Sequence, residues 1–302
     1  MNTDKKKNRP IVGLGEVLWD CLPDGRKLGG APANFTYHVM QFGHDAVAVS
    51  AVGNDALGDE TLGLLAAKGL HCEMPKVERP TGTVEVKLDN HGVPTYEFAA
   101  DAAWDHIPFT PQVKSVAEAC RAVCFGSLAQ RGNESRATIV KFLDAVPEDC
   151  LKIFDINLRQ DFYDMETLTA SMRRCDVLKI NDEEFELVTR ETGLQRGSVT
   201  DTAHAMMNAY GIGTLVLTCG ENGSHVFADG VEHYEPTPKV TVADTVGAGD
   251  SFTAAFVAGT LAGMDVAEAH RLAVEVSAFV CTQHGAMPEL PPELAKKPGL
   301  LK

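Results

Sequence analysis

Six short Val- and Ile-rich runs alternate along the chain with segments of helical periodicity, and this alternation constrains the fold more than any other feature. The runs are IVGLG at 11–15, AVAVSAVG at 46–53, RAVCFG at 121–126, LKIFDI at 151–156, DVLKI at 176–180 and TLVLT at 214–218. They are continuous apolar runs, so each is expected to be covered on both faces, as the strands of a parallel sheet are. Helical patterns near residues 33–42, 57–69, 134–145, 182–190, 201–210 and 249–262 supply the crossovers between parallel neighbours. The predicted fold is α/β, a doubly wound, mostly parallel sheet with helices on both faces. A chain of 302 residues, 44% of them hydrophobic, has enough apolar surface for one such domain and a small appendage.

The appendage is expected where the pattern breaks. TVEVKL at 83–88 alternates apolar Val84, Val86 and Leu88 with polar Thr83, Glu85 and Lys87, then turns through DNHG into PTYEF, the signature of a hairpin with one wet face. A second turn, PDGR at 23–26, follows the first strand. Together these pieces, near 16–32 and 80–104, predict a small β-sheet lid over the active site. With no internal repeat and no linker, residues 1–302 read as a single domain; the first nine residues and the tail PPELAKKPGLLK are expected to be loosely held.

Lys and Arg total 27 against 42 Asp and Glu, a formal charge of −15, which argues against nucleic acid or an anionic membrane as partner. No run reaches the roughly 18 apolar residues of a membrane span, and MNTDKKKNRP is not followed by an apolar core, so a soluble, cytoplasmic protein is expected. The eight cysteines form no CxxC pair and no zinc spacing; Cys124 and Cys219 read as buried small hydrophobes, and no structural disulfide is expected.

The chemistry concentrates in DTVGAGD, residues 244–250, which runs into an apolar helix pattern. Gly247, Ala248 and Gly249 let backbone approach a ligand closely at a helix start, where free N–H groups and the helix dipole favour an anion. Asp250 beside that anion site is placed to take a proton from a hydroxyl attacking a phosphate. The same residues also read as an ordinary helix start with an acidic first turn. Gly13 and Gly15 form a GxG after the first strand, but Leu18 occupies the third glycine position and no helix follows, so a dinucleotide site is not expected. GxxxxGK[ST], HExxH and GxSxG are absent.

Five further segments carry candidate groups, most of them at strand ends, where open α/β sheets bind ligands. Gly29 and Gly30 of GGAPAN permit close approach by a polyol and Asn34 could bridge two hydroxyls, or else cap a helix; Asp20 is a second hydroxyl acceptor. DINLR brings Asp155, Asn157 and Arg159, the last suited to a phosphate or to a surface carboxylate. Asn181 and Glu184, spaced i, i+3, suit Mg²⁺ that keeps its waters and shares nucleotide phosphates, or a plain acidic first turn. LTCGENGS, with Thr218, Gly220 and Gly223, is a strand-to-turn element able to border a nucleotide, and TQHGAMPELP at 282–291 reads equally as a helix end.

In this order, GGAPAN, NxxE and DTVGAGDSF resemble the ribokinase-like, PfkB-type carbohydrate kinases over nearly the whole chain, and GEVLWD, FGSLAQR and DINLR look most like the fructokinases. The resemblance implies a three-layer fold with a β lid, and transfer of the γ-phosphate of ATP to a primary hydroxyl of a small sugar, most readily D-fructose. Ketodeoxygluconate kinase and ribokinase are the alternatives within the family, and a catalytically idle sugar- or nucleotide-binding protein is the alternative outside it. It implies Asp250 as general base, the Gly247–Gly249 amides as anion hole, and Asp20, Gly29, Gly30, Asn34 and Arg159 around the sugar. It implies Asn181 and Glu184 acting through Mg²⁺ and water on ATP, with Thr218, Gly220, Gly223 and Gly249 along the nucleotide. A K⁺ ion is implied beside Asp244 and the carbonyls of Val246, Val280, Gln283 and Gly285, although Glu289 stands where some relatives have a serine ligand. Tyr96, Phe98, Asp101 and Trp104 would shape the sugar end or pack the lid, and a homodimer through the lid is implied.

Overall fold

A computed structural model of the chain describes residues 9–22, 25–88 and 94–300, apart from the side chains of 86–88 and 94–96. In chain order the first elements are β1 (Ile11–Leu14), β2 (Leu18–Leu22), β3 (Gly25–Gly29), α1 (Ala31–Gln41), β4 (Ala46–Val49), β5 (Val52–Gly53), α2 (Ala56–Ala67), β6 (His71–Glu73) and β7 (Lys76–Val77). β8 (Gly82–Leu88), β9 (Pro94–Phe98), α3 (Pro111–Ala119), β10 (Ala122–Phe125), α4 (Asn133–Ala145), β11 (Leu151–Asp155), α5 (Met165–Met172) and β12 (Val177–Asn181) follow. The last are α6 (Asp182–Glu191), α7 (Val199–Tyr210), β13 (Thr214–Thr218), β14 (Ser224–Ala228), β15 (Val231–Glu235), α8 (Ala248–Ala262), α9 (Val266–Cys281) and α10 (Pro292–Ala295).

Nine strands form the main sheet in the order β15-β14-β13-β12-β11-β10-β1-β4-β6. It is parallel from β6 to β13, and β14 and β15 are added antiparallel. Alternate residues of the continuous apolar strands enter two separate cores, as the two-faced burial predicts. Val12, Leu14, Val123, Phe125, Phe154 and Leu178 pack on the side that holds Val113 of α3, Ile139 of α4 and Val188 of α6. Ile11, Ala122, Cys124, Ile153, Val177 and Val216 face Phe35 of α1, Phe252 and Phe256 of α8 and Leu272 of α9. The chain leaves β1 toward β4 and later returns to β10 on its other side, so a topological switch point lies at β1, and ligands are expected beyond the strand ends there.

The small sheet has the order β3-β2-β8-β9, with two antiparallel pairs joined by a parallel β2·β8 contact. Both expected hairpins are present; the turn residues 23–24 and 89–93 and the Tyr96 side chain lie outside the described residues. Of the other rim residues, Trp104 is buried under the Arg131 guanidinium, 3.9 Å from its ring centroid, and belongs to the packing. Phe98 meets Phe162 edge-on at 5.6 Å, and exposed Asp101 pairs with Arg79 at 2.9 Å.

Three readings of the sequence need correction. AVAVSAVG is not one strand: after β4 the chain turns at Ser50 and Ala51, and β5 leaves the main sheet to pair with β7. The tail is docked through residue 300: α10 buries Ala295, and the Leu290 N–H donates to Gln41 Oε1 at 2.6 Å. Cys219 is only half-buried, whereas Cys124 is in the core; all eight cysteines are free.

Candidate active site

Gly247 stands at the N-cap of α8 with φ +77°, a left-handed conformation that favours glycine. A Cβ there would lie 2.7 Å from that of Ala286, so the turn admits no side chain. No side chain caps α8. The Ala248 N–H reaches Thr245 O at 3.3 Å and the Ser251 N–H bonds Gly247 O at 2.9 Å, so the turn is a glycine-entered helix start of the kind that suits an anion.

Asp250 sits in the first turn of α8, half-buried, and its Oδ2 accepts the Asn34 amide N–H at 2.8 Å. Asn34 is therefore not a cap: it lies one turn inside α1, buried, and Gly30 takes the N-cap position. Burial and the nearby Asp155 carboxylate push Asp250 up to about 6, opposed by Asn34, Lys179 and Arg159. Asp155, at the end of β11, accepts Lys179 Nζ at 2.9 Å and Thr253 Oγ1 at 2.9 Å; all three are buried. Lys179 Nζ also lies 3.1 Å from where a Gly249 Cβ would be, so an ammonium backs the first turn of α8 and glycine leaves it room. Burial alone would push Lys179 down, yet Asp155, Glu184 and Asp250 hold it above its usual value.

The residues read for the sugar lie about the start of α1 and the end of β1. Asp20 on β2 lies over Gly29, with Oδ2 3.1 Å from that residue's Cβ position, and burial raises its carboxyl against the pull of Arg159 and Lys27. Gly30, at φ +113°, brings the start of α1 onto the Glu16 carbonyl, where a Cβ would lie 2.5 Å away. Gly13 serves the same approach: its Cβ would strike the Pro32 carbonyl at 2.2 Å, which explains a GxG with no dinucleotide behind it. Arg159 is exposed at the rim, close enough in charge to influence Asp20, Glu16 and Asp250.

The residues read for the nucleotide form a second group at neighbouring strand ends, with Asn181 and Thr218 in register on β12 and β13. Asn181 caps α6 by accepting the Glu184 N–H at 2.8 Å, and Glu184 Oε2 accepts the Asn181 N–H at 3.0 Å. Glu184 Oε1 accepts the Leu158 N–H at 2.7 Å, so its carboxylate also fastens the loop that carries Asn157 and Arg159. Burial raises Glu184, and Lys179 and these amides oppose the rise. Both side chains are engaged by the backbone; this donor set fits a Mg²⁺ held by nucleotide phosphates and water rather than a protein cage, and no metal-binding cluster occurs among the described residues. Gly220 and Gly223 have φ +53° and +91°, and a Cβ on Gly223 would meet the Glu235 carbonyl at 2.6 Å.

The positions read for K⁺ are adjacent, since the Ala243 N–H bonds Cys281 O at 2.8 Å. Asp244 Oδ1 and Oδ2 accept the N–H groups of Val246 (3.1 Å) and Gly285 (3.2 Å), and Lys27 Nζ stands 3.7 Å from Oδ2. The Val280 carbonyl accepts the Gln283 N–H at 2.9 Å. A monovalent cation thus fits here only beside a resident ammonium.

Lys179, Thr253 and Glu16 go unread in the sequence, and Asp155 is read only as a polar residue past a strand end. Asp155, Lys179 and Thr253 hold the floor beneath Asp250; each sits inside an apolar run or next to one, and only the fold brings them together. Glu16, after β1, is 4% exposed, its Oε2 has no partner, and it lines one cavity with Asp155 and Asp250. A carboxylate in the GEVLWD run was the available signal.

The chain is similar to known proteins over nearly its whole length. The model of the pfkB family carbohydrate kinases matches residues 23–293. A fructokinase of Klebsiella pneumoniae is 31% identical over 305 residues, 94% of this chain and 97% of that protein. An ATP-dependent 6-phosphofructokinase of Thermoanaerobacterium thermosaccharolyticum is 26% identical over 310 residues, 95% of this chain and 92% of that protein. Among solved structures, an uncharacterised sugar kinase of Pyrococcus horikoshii in complex with ATP superposes with TM-score 0.81 at 26% identity, covering 95% of this chain and 99% of that one.

Proposed function

The chain belongs to the PfkB family of carbohydrate kinases, and from that premise we propose that it transfers the γ-phosphate of ATP to a primary hydroxyl of D-fructose, giving fructose 6-phosphate. The observation that carries the reading is Asp250: a half-buried carboxylate held by Asn34 in the first turn of an uncapped, glycine-entered helix. A carboxylate in an anion site serves the reaction when it removes a proton from the nucleophile. The sugar oxygen attacks the γ-phosphorus, its proton passes to Asp250 and the bond to the ADP oxygen breaks. The α8 N-terminus, backed by Lys179, stabilises the negative charge on the phosphoryl oxygens. Mg²⁺, when bound with the nucleotide, would neutralise further phosphate charge near Asn181 and Glu184.

Fructose over ketodeoxygluconate is supported by Asp20, because a carboxylate at the sugar end accepts hydroxyl protons but repels a carboxylated substrate. The Klebsiella fructokinase, 31% identical across almost its full length, supports the same acceptor. The small sheet β3-β2-β8-β9 carries Asp20 and Gly29, and is read here as the lid that excludes water during transfer and as the surface for a homodimer.

Coupled ADP-release assays with fructose, ribose, ketodeoxygluconate, fructose 6-phosphate and adenosine test the reading. Fructose is expected to give the highest kcat/KM. Another acceptor in first place would reassign the sugar, and no acceptor-dependent ADP at all would point to an idle binding protein that keeps the fold.

A further inference from the structure

Glu16, Asp155 and Asp250 are among the residues around one small, mostly apolar cavity of about 20 Å³ at the switch point of the sheet. Two of the three are provided for. Asp155 accepts the Lys179 ammonium and the Thr253 hydroxyl, and Asp250 accepts the Asn34 amide. The Glu16 carboxyl takes backbone N–H groups, its own and that of Ala31 at the start of α1, but Oε2 has no donor. Asn34 Oδ1, on the residue that holds Asp250, is likewise buried without a partner.

Several groups face Glu16 from the surrounding elements. Asp250 comes from α8, Arg159 from the exposed loop after β11, Asp155 and Lys179 as a neutralising pair from β11 and β12, and the Cys124 thiol, raised by burial, from β10. The helix α1 contributes the Asn34 amide and the ring of Phe35. Were all three acids ionised, the floor would hold three negative charges against the one on Lys179, beside the place where an anionic phosphoryl group arrives. A buried carboxylate with an orphaned oxygen has little to offset its lost hydration, and protonation removes the charge that needs it.

We propose that Glu16 is a positioning residue of the transfer: it carries the one proton of the Glu16–Asp250 pair in the resting site, leaving Asp250 as the ionised member that accepts the sugar's proton. The proposal rests on the sugar-kinase reading of Asp250. Burial raises both carboxyls, and their donors separate them: Asp250 Oδ2 accepts the Asn34 amide, which favours its ionised form, whereas Glu16 Oε2 has no donor, so the proton stays on Glu16. The step is balanced without an added reactant. The hydroxyl proton moves to Asp250 as the phosphorus–oxygen bond forms, Glu16 keeps its own proton, and Asp250 returns the gained one to water when product leaves.

The test combines a readout without turnover and one with it. Protein labelled with ¹³C at the glutamate carboxyl carbon is titrated by NMR as wild type, D250N and E16Q. One glutamate resonance is expected to titrate near 7, to move to lower pH in D250N, where the neighbouring charge is gone, and to be missing in E16Q. If no glutamate titrates above about 6 in the wild type, or if D250N leaves that resonance in place, the proposal falls. Should E16Q fail to fold, the wild type and D250N spectra still decide. In kinetics with fructose, the kcat/KM ratio of E16Q to wild type is expected to rise about five-fold between pH 6 and 8.5, as wild-type Glu16 ionises beside the arriving phosphoryl group. A flat ratio would remove the positioning role, because a merely structural residue changes the level and not the pH course. If no sugar is turned over, the proposed function fails while the NMR titration still settles Glu16.

Discussion

Replacing Lys179 by Met is expected to weaken the fold and to disarm the catalytic base together. Lys179 and Asp155 side chains are 10% and 7% exposed, with Nζ 2.9 Å from Oδ1. Removing one partner of such a buried pair strands the other charge and costs about 3–5 kcal/mol. For a chain of this size each kcal/mol lowers Tm by about 2–4 °C, so Lys179→Met and Asp155→Asn are each expected to melt roughly 6–20 °C below wild type. The double variant removes both charges and keeps an acceptor for the Thr253 hydroxyl, so its loss should fall short of the summed losses by about 2 kcal/mol or more. Kinetics give a second, signed readout. Lys179 lowers and Asp155 raises the Asp250 carboxyl, so the acid limb of kcat/KM is expected to move to higher pH in Lys179→Met and to lower pH in Asp155→Asn. Urea unfolding at pH 7 and pH-rate profiles measure both. Single losses below about 1 kcal/mol, additive in the double variant, or limbs that shift in the same direction would refute the reasoning.

Three further outcomes follow from the same geometry. Gly247→Ala forces a left-handed alanine against Ala286, about 1–2 kcal/mol of backbone strain before the clash, and a displaced anion hole should lower kcat about 100-fold; melting and steady-state kinetics check both. With Asp250 as the proposed base, its carboxyl raised to about 6, wild-type kcat/KM should fall about ten-fold per unit below that pH and, as Glu16 ionises, decline about five-fold toward pH 8.5 in a profile from pH 5 to 8.5. Glu184→Ala leaves the Leu158 and Asn181 N–H groups without their buried acceptor, a cost of about 2–4 kcal/mol by denaturant titration, and should raise KM for ATP as the 157–159 loop loosens.

Most of the sheet was legible because its strands are continuous apolar runs whose register the fold had little freedom to alter. AVAVSAVG failed for a tertiary reason: nothing in its composition marks Ser50 and Ala51 as the point where β5 turns away to meet β7. The helix α9 was overlooked although Asp265 and Glu268 form a capping box at its start, a local signal that was present. The short α5, with its Thr and Ser residues, has little periodicity to read.

The site divides in the same way. Gly247, Gly249 and Asp250 were readable because one peptide segment holds the anion turn and the acid together. Asp20, Asn34 and Arg159 were readable as polar residues at strand and helix ends. Lys179 and Thr253 were not, because each looks like a polar interruption of an apolar element until the packing of β12 and α8 places both on Asp155. Glu16 has meaning only beside Asp250, which is distant in sequence and contiguous in space through the cavity they share.

Asp250→Asn tests the central claim most directly. The substitution keeps the size of the side chain and removes its basicity, and with it a buried carboxyl whose raised value penalises the folded state at neutral pH. With ATP and fructose, the account predicts a kcat lowered by about 10²–10⁴, KM values for both substrates within about three-fold of wild type, and no loss of thermal stability at pH 7. Turnover within about ten-fold of wild type would show that the sugar's proton goes elsewhere and would contradict the account.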